Sequence, residues 1–241
     1  MNYCVIIPAR YESSRLPGKP LINLCGLPMI VRTYQQCIKA CPAEKVYVAT
    51  DDERIRHTCE LNGIQVIMTS SDCLTGTDRI AECAQYLDAD VFINVQGDEP
   101  LFNPEDLQTL IEAARNYPEE VLNGYCEINE ESFFRSSSTP KVVFRADGRL
   151  LYMSRAAIPT NKQLGFETAW RQVCAYAFPR KALSDFSSTN EKTLLESMED
   201  IEILRFLELG WEVRMLELSS NSIAVDTPED VKRAEEAILK C

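Results

Sequence analysis

The stretch YCVIIPARYESSRLPGKP, residues 3–20, sets an unbroken apolar run against a loop that carries three cations, three hydroxyls and a glycine. The run Tyr3 to Ile7 has no polar interruption, the pattern of a strand buried on both faces of a parallel sheet. Similar β-branched runs recur at KVYVAT (45–50), IQVIMT (64–69) and VFINV (91–95). Between them lie PMIVRTYQQCIKA (28–40), DDERIRHTCELN (51–62) and GTDRIAECAQYL (76–87), each long enough for a crossover helix. Strand and helix alternating in this way predict an α/β fold, a doubly wound and mainly parallel sheet with helices on both faces.

After about residue 120 the rhythm changes. VLNGYCEI, KVVFRA, RLLYMSR and VCAYAF read as strands with polar connections, which predicts a smaller mixed or antiparallel lobe over about 121–190 within one domain spanning 1–241. Substrate-specific contacts are expected to sit on such an addition. A helical pattern at 194–210 then ends at Gly210, a strand follows at 211–218, and Thr227 can cap a helix whose first residue is Pro228.

The formal charge of −12 disfavours a nucleic-acid binder, which needs a basic face to displace counterions. No run approaches the roughly 18 to 20 apolar residues of a membrane span, and the N-terminus enters a strand pattern without the features of a signal sequence, so a cytoplasmic location is expected. The ten cysteines are scattered, with no CxxC pair, and the single histidine, His57, cannot complete a zinc site at the usual spacing. They are expected to be reduced core fillers.

Ligands of open α/β sheets bind beyond the carboxyl ends of the strands, so residues 8–20 lie at the mouth of the first one. There Arg10, Arg15 and Lys19 can converge, Gly18 permits unusual backbone angles, and Pro17 and Pro20 stiffen the path. Phosphate is the anion best suited to such a loop, although neither the Walker nor the GxGxxG pattern is present. The alternative is a solvated turn whose cations pair with surface acids. NVQGDEP (94–100), after the fourth strand, brings Gln96, Asp98 and Glu99 to the same mouth. A carboxylate beside a phosphate loop requires a hard cation between them, and Mg²⁺ is the expected one. Asp226 in VDTPED (225–230) is a second candidate ligand, or simply an acid preceding the Thr227 cap.

VIIPARYESSRLPGKPL, VYVATDDERI, TGTDRIAE, FINVQGDEP, YMSRAAIP and IAVDTPEDV, in this order from residue 4 to about 232, resemble the CMP-Kdo synthetases, the 3-deoxy-manno-octulosonate cytidylyltransferases. The resemblance implies that the anomeric hydroxyl of a 3-deoxy-2-ulosonic acid attacks the α-phosphorus of CTP and pyrophosphate leaves, a Mg²⁺-dependent step of lipopolysaccharide biosynthesis. It places Arg10, Arg15, Lys19 and Asp98 in catalysis and Asp98 and Asp226 on the metal. Ala9, Arg10, Ser14, Lys19, Thr75, Gly76, Arg79 and Gln96 would bind the nucleotide, and Arg155, Gln172, Tyr176, Glu202 and Ile203 the acceptor. It further implies CTP and a small acidic sugar as partners, and a homodimer.

The acceptor motifs depart from the family pattern. Gln172 stands where the family usually has His, Cys174 where it has Gly, and Ile203 where it has Gln, while Tyr176, Glu202 and Arg205 persist. Losing the Gln amide would leave a buried acceptor hydroxyl unpaired at roughly 1 to 3 kcal/mol. Either these changes are neutral or the acceptor is altered: an amino- or deoxy-substituted Kdo, another ulosonate, or a different small acid. A nucleotidyltransferase for another base or sugar phosphate, and a CTP-binding regulator without turnover, remain the competing readings.

Overall fold

In a computed structural model of the chain, residues 1–12, 16–189 and 191–240 are described. Strand β1 (Tyr3–Pro8) leads through a 3-10 turn at Lys19–Leu21 and a small ribbon, β2 (Asn23–Leu24) with β3 (Leu27–Pro28), into helix α1 (Met29–Ala40). Then come β4 (Val46–Thr50), α2 (Glu53–Leu61), β5 (Gln65–Met68), α3 (Gly76–Cys83), β6 (Val91–Val95) and α4 (Pro104–Asn116). The second half runs β7 (Val121–Glu127), α5 (Glu131–Arg135), β8 (Lys141–Phe144), β9 (Leu150–Ser154) and β10 (Trp170–Pro179). It ends with α6 (Arg180–Phe186), α7 (Leu194–Glu199), α8 (Ile203–Glu208), β11 (Val213–Glu217) and α9 (Pro228–Ile238).

Among the described residues nine strands form one sheet, whose main path is β11-β7-β10-β6-β1-β4-β5. The expected α/β architecture is present: β6, β1, β4 and β5 pair in parallel, with Ile6 opposite both Asn94 and Tyr47. The apolar runs are uninterrupted because both faces are covered. Val5 and Ile7 pack under α1 and α4 with Ile30, Tyr34 and Leu110, whereas Cys4 and Ile6 pack on the other face with Ile80, Phe178 and Phe206.

β7 and β11 are parallel to each other, and β10, antiparallel to both β6 and β7, joins them to the main sheet. The N-terminal end of β10 also pairs with β8, which pairs in turn with β9. The strands read as a lobe thus grow from the edge of the same sheet. β10 is irregular between Val173 and Tyr176. The fully buried Asn123 spans this bulge, its Nδ2 donating to the carbonyls of Val173 at 3.0 Å and Ala175 at 3.1 Å. The side-chain amide satisfies carbonyls that the irregular register leaves out of the ladder.

Two helices differ from expectation. The pattern at 76–87 is α-helical only to Cys83 and closes in turns through Leu87. The pattern at 194–210 is broken into α7 and α8, because Asp200 adopts left-handed backbone angles (φ 52°, ψ 50°) and Ile201 turns into the core. The break places α8 so that Arg205 reaches back to Glu196 in α7, a tertiary contact that overrides helical periodicity. At the C-terminal end the expected cap is present: Thr227 and Asp230 form a capping box around Pro228. Among the described residues all nine cysteines are free.

Candidate active site

A cleft of about 530 Å³ opens beyond the carboxyl ends of β1 and β6. Its floor is Pro8, Ala9, Gln96 and Gly97, and Arg10, Lys19, Asp98 and Asp226 line one side. The loop after β1 is held by local backbone bonds. Ala9 N donates to Ala49 O at 2.9 Å, Gly18 N donates to Tyr11 O at 3.0 Å, and Gly18 has φ +68°, which only glycine adopts freely. The 3-10 turn begins at Lys19 and so aims its side chain back over the strand ends.

Lys19 Nζ donates to Asp98 Oδ2 at 2.6 Å and to Asp226 Oδ1 at 3.0 Å. Those carboxylates lie 128 residues apart in sequence, and Val225 N donating to Asp98 O at 2.9 Å brings them together. The segment is anchored by Val225, which packs with Ala234 of α9 against Leu24 and Met29. Burial works against the Lys19 ammonium, yet the two carboxylates hold its pKa above the ordinary value. Behind Asp98, Glu99 is buried and accepts from Ser222; burial and then the neighbouring Asp98 charge push its pKa to about 8.

The opposite wall is the start of α3. Thr75 caps this helix, its hydroxyl lying 2.6 Å from Asp78 Oδ2, and Gly76 lies beside Pro8 and Gln96. Arg79 lines the cleft but is buried, with its guanidinium on Thr69 Oγ1 and 3.3 Å from Asp51. The far end is the turn between α7 and α8. Glu202 accepts from both the amide and hydroxyl of Thr77, bonds that partly offset the burial that raises its pKa. Lys192 and Asp200 flank α7 and complete this end.

A cationic loop facing paired carboxylates across the strand ends, beside a capped helix start, suits a nucleoside triphosphate with a hard cation. The model of a protein family described as cytidylyltransferase matches residues 4–217. The chain belongs to the cytidylyltransferase family. Among curated relatives, the 8-amino-3,8-dideoxy-manno-octulosonate cytidylyltransferase of Shewanella amazonensis is 39% identical, with 98% of each chain covered. The 3-deoxy-manno-octulosonate cytidylyltransferase of Escherichia coli is 37% identical, covering 93% of this chain and 91% of that one. A solved structure of a CMP:2-keto-3-deoxy-manno-octonic acid synthetase complexed with CTP superposes with a TM-score of 0.93 at 34% identity, covering 100% and 99% of the two chains. The resemblance read from the motifs is therefore that of a true relative, and the protein is a nucleotidyltransferase.

In this cytidylyltransferase the cleft brings together Ala9, Arg10, Lys19, Thr75, Gly76, Arg79, Gln96, Asp98, Glu202 and Asp226. Ser14 and Arg15 fall outside the described residues. Four of the expected acceptor residues do not line the cleft. Arg155 was expected to bind the acceptor, but its guanidinium donates to the carbonyls of Glu199, Ser137 and Asp200 and so braces the end of α7. Gln172 is buried, with Nε2 3.0 Å from Asn123 Oδ1 and 3.3 Å from the Tyr176 hydroxyl. Tyr176 stacks on Phe178 at 5.6 Å between ring centroids, and Ile203 is 1% exposed in the same core. His57 is exposed on α2, outside the cleft lining. Sequence reasoning missed Lys192 and Asp200; no local pattern marks them, since their meeting depends on the break after α7 that places Asp200.

Gly97 explains why the QGD turn tolerates no side chain. A Cβ there would lie 2.7 Å from the Pro8 carbonyl and 3.3 Å from Ile30 Cδ1. Gly97→Ala is expected to force the ends of β1 and β6 apart, costing about 1–3 kcal/mol of stability. Because those ends carry Arg10 and Asp98, KM for CTP should rise at least tenfold; denaturant titration and initial rates check both.

Proposed function

We propose that this enzyme transfers CMP from CTP to the anomeric hydroxyl of a 3-deoxy-2-ulosonic acid, 3-deoxy-manno-octulosonate or its 8-amino-3,8-dideoxy analogue, with release of pyrophosphate. The observation that carries the reading is the convergence of Arg10, Lys19, Asp98 and Asp226 at one cleft whose other wall is the Thr75–Gly76 turn. The attacking hydroxyl oxygen forms a bond to the α-phosphorus as its proton passes to water, and the bond from the α-phosphorus to the bridging oxygen breaks with its electron pair leaving on pyrophosphate. Arg10 and Lys19 are preplaced positive charges for that leaving group, and such groups act without reorganising as charge develops.

Asp98 and Asp226 fit Mg²⁺. They already direct one oxygen each at a single positive centre, the Lys19 ammonium, within 3.0 Å. Two hard oxygen donors are few for a protein-only cage, which suits a Mg²⁺ whose other ligands are phosphate oxygens and water. When bound, the ion would supply charge neutralisation at the reacting phosphate. Lys19, which both carboxylates hold at the cleft, would face the phosphates beside the ion as a compact point charge.

The curated relatives support both acceptors, and the departures at Gln172 and Ile203 sit behind the cleft in the β10 bulge and the core. The 121–190 region would serve the acceptor side from behind the cleft, through Arg155, which braces the end of α7. A homodimer belongs to the same reading, with the single exposed Leu151 on β9 as an apolar side chain available to it. CTP as donor supports a cytoplasmic site of action, and among the described residues no helix is long and apolar enough to cross a membrane.

The test is pyrophosphate release from CTP and Mg²⁺ with each acceptor and without one. Release that requires an ulosonic acid and CTP is expected; CTP binding with no release for any acid overturns the reading.

A further inference from the structure

The far end of the cleft holds an ion pair that the transfer chemistry above does not use. Lys192 Nζ donates to Asp200 Oδ1 at 2.6 Å, spanning α7 from its start to its end. Both residues line the cleft next to Glu202 and Arg10. The Asp200 side chain is 70% exposed, so core packing does not hold it there, and its backbone is left-handed although it is not glycine. A second cation, the Arg155 guanidinium, lies 3.8 Å from Asp200 Oδ2, already fixed by three carbonyls. The Lys192 hydrogen bond, with the fields of Lys192, Arg155 and Arg10, holds the Asp200 pKa below its ordinary value. Positive groups from three separate segments therefore act on one exposed carboxylate at the edge of the cleft, an anion seat filled by the chain itself.

We infer that Asp200 occupies, in the free enzyme, the seat that the carboxylate of the acid acceptor takes on binding, with Lys192 as the residue that holds it. The inference rests on the acid-acceptor reading above. An exposed ion pair between flexible side chains has little net stability, so an incoming carboxylate exchanges for Asp200 at small cost. Lys192 is suited to the exchange because an ammonium accepts a carboxylate from many directions, whereas the fixed Arg155 fork cannot turn. The seat also explains why Arg155 contributes from a distance: its bonds to Glu199 and Asp200 keep the end of α7, and hence the seat, at the cleft.

The experiment measures initial rates with the full chain, CTP, Mg²⁺ and 3-deoxy-manno-octulosonate, its 8-amino analogue, or the C1 amide of each. Lys192→Met is expected to raise KM for the acids at least tenfold while KM for CTP stays within twofold. Lys192→Arg should recover most of that loss. Asp200→Asn should lower acceptor KM two- to fivefold, because the competing charge is gone. Wild type should prefer acid over amide at least tenfold, and Lys192→Met should lose that preference, a change that general loosening of α7 would not produce. Lys192 is partly exposed, so equal melting temperatures are expected for the variants. Unchanged acceptor KM in Lys192→Met, or a rise confined to CTP, overturns the seat while leaving the transferase reading intact. Wild-type failure to use either acid overturns both.

Discussion

Arg205→Met is expected to destabilise the fold by about 3–5 kcal/mol, the penalty of leaving a buried partner charge uncompensated. Arg205 and Glu196 are both fully buried, with a two-pronged pair at 2.6 and 2.7 Å. The remaining nitrogen reaches Asp78 at 3.0 Å and the Phe186 carbonyl at 3.2 Å, and the guanidinium lies over the Phe186 ring at 3.7 Å. This one side chain therefore ties α7, α8, α6 and the start of α3 together. In a chain of this size the loss corresponds to a melting temperature lower by on the order of 10 °C. Adding Glu196→Leu should recover much of it, since removing both charges restores an apolar contact in place of a lone buried carboxylate. A loss below about 1 kcal/mol in Arg205→Met would mean that water reaches Glu196 and the pair is not a tie.

Asp98→Asn is expected to leave the fold intact and to lower kcat by roughly 10²–10³, on the order of 3–4 kcal/mol of transition-state stabilisation. Asp98 lies at a strand mouth and not in the core, and its side chain is 24% exposed, so its amide is tolerated sterically. What the amide lacks is the charge that draws Lys19, and a hard cation, to this point of the cleft. Mg²⁺-dependent tightening of CTP binding, followed by calorimetry, should weaken in parallel. Wild-type turnover in Asp98→Asn would remove Asp98 from the proposed metal site.

Much of this architecture was legible beforehand because it depends on neighbours in sequence. The unbroken apolar runs of β1, β4 and β6 announce strands buried on both faces, and Thr227-Pro228 announces a helix start through capping alone. The loop after β1 and the QGD turn were legible for the same reason, since a strand mouth is a place that topology supplies. The helix at 194–210 was misread because its periodicity is genuine. What breaks it is Asp200 and the return of Arg205 to Glu196, a pairing that no window of local sequence scores.

The sequence by itself determined the strands and crossover helices of the parallel half, the cleft's position and the residue types at its mouth, because alternation, capping and turn chemistry act over a few residues. Only the tertiary structure decided which charges meet. Lys19 finds Asp226 across 207 residues, Arg205 finds Asp78 across 127, and Lys192 meets Asp200 over the cleft only after the turn that ends α7. Arg155, which the resemblance places on the acceptor, is held by carbonyls that the same turn exposes. The physical reason is that an ion pair is selected by distance in space and by the desolvation of both partners, quantities that exist only once the helices are packed.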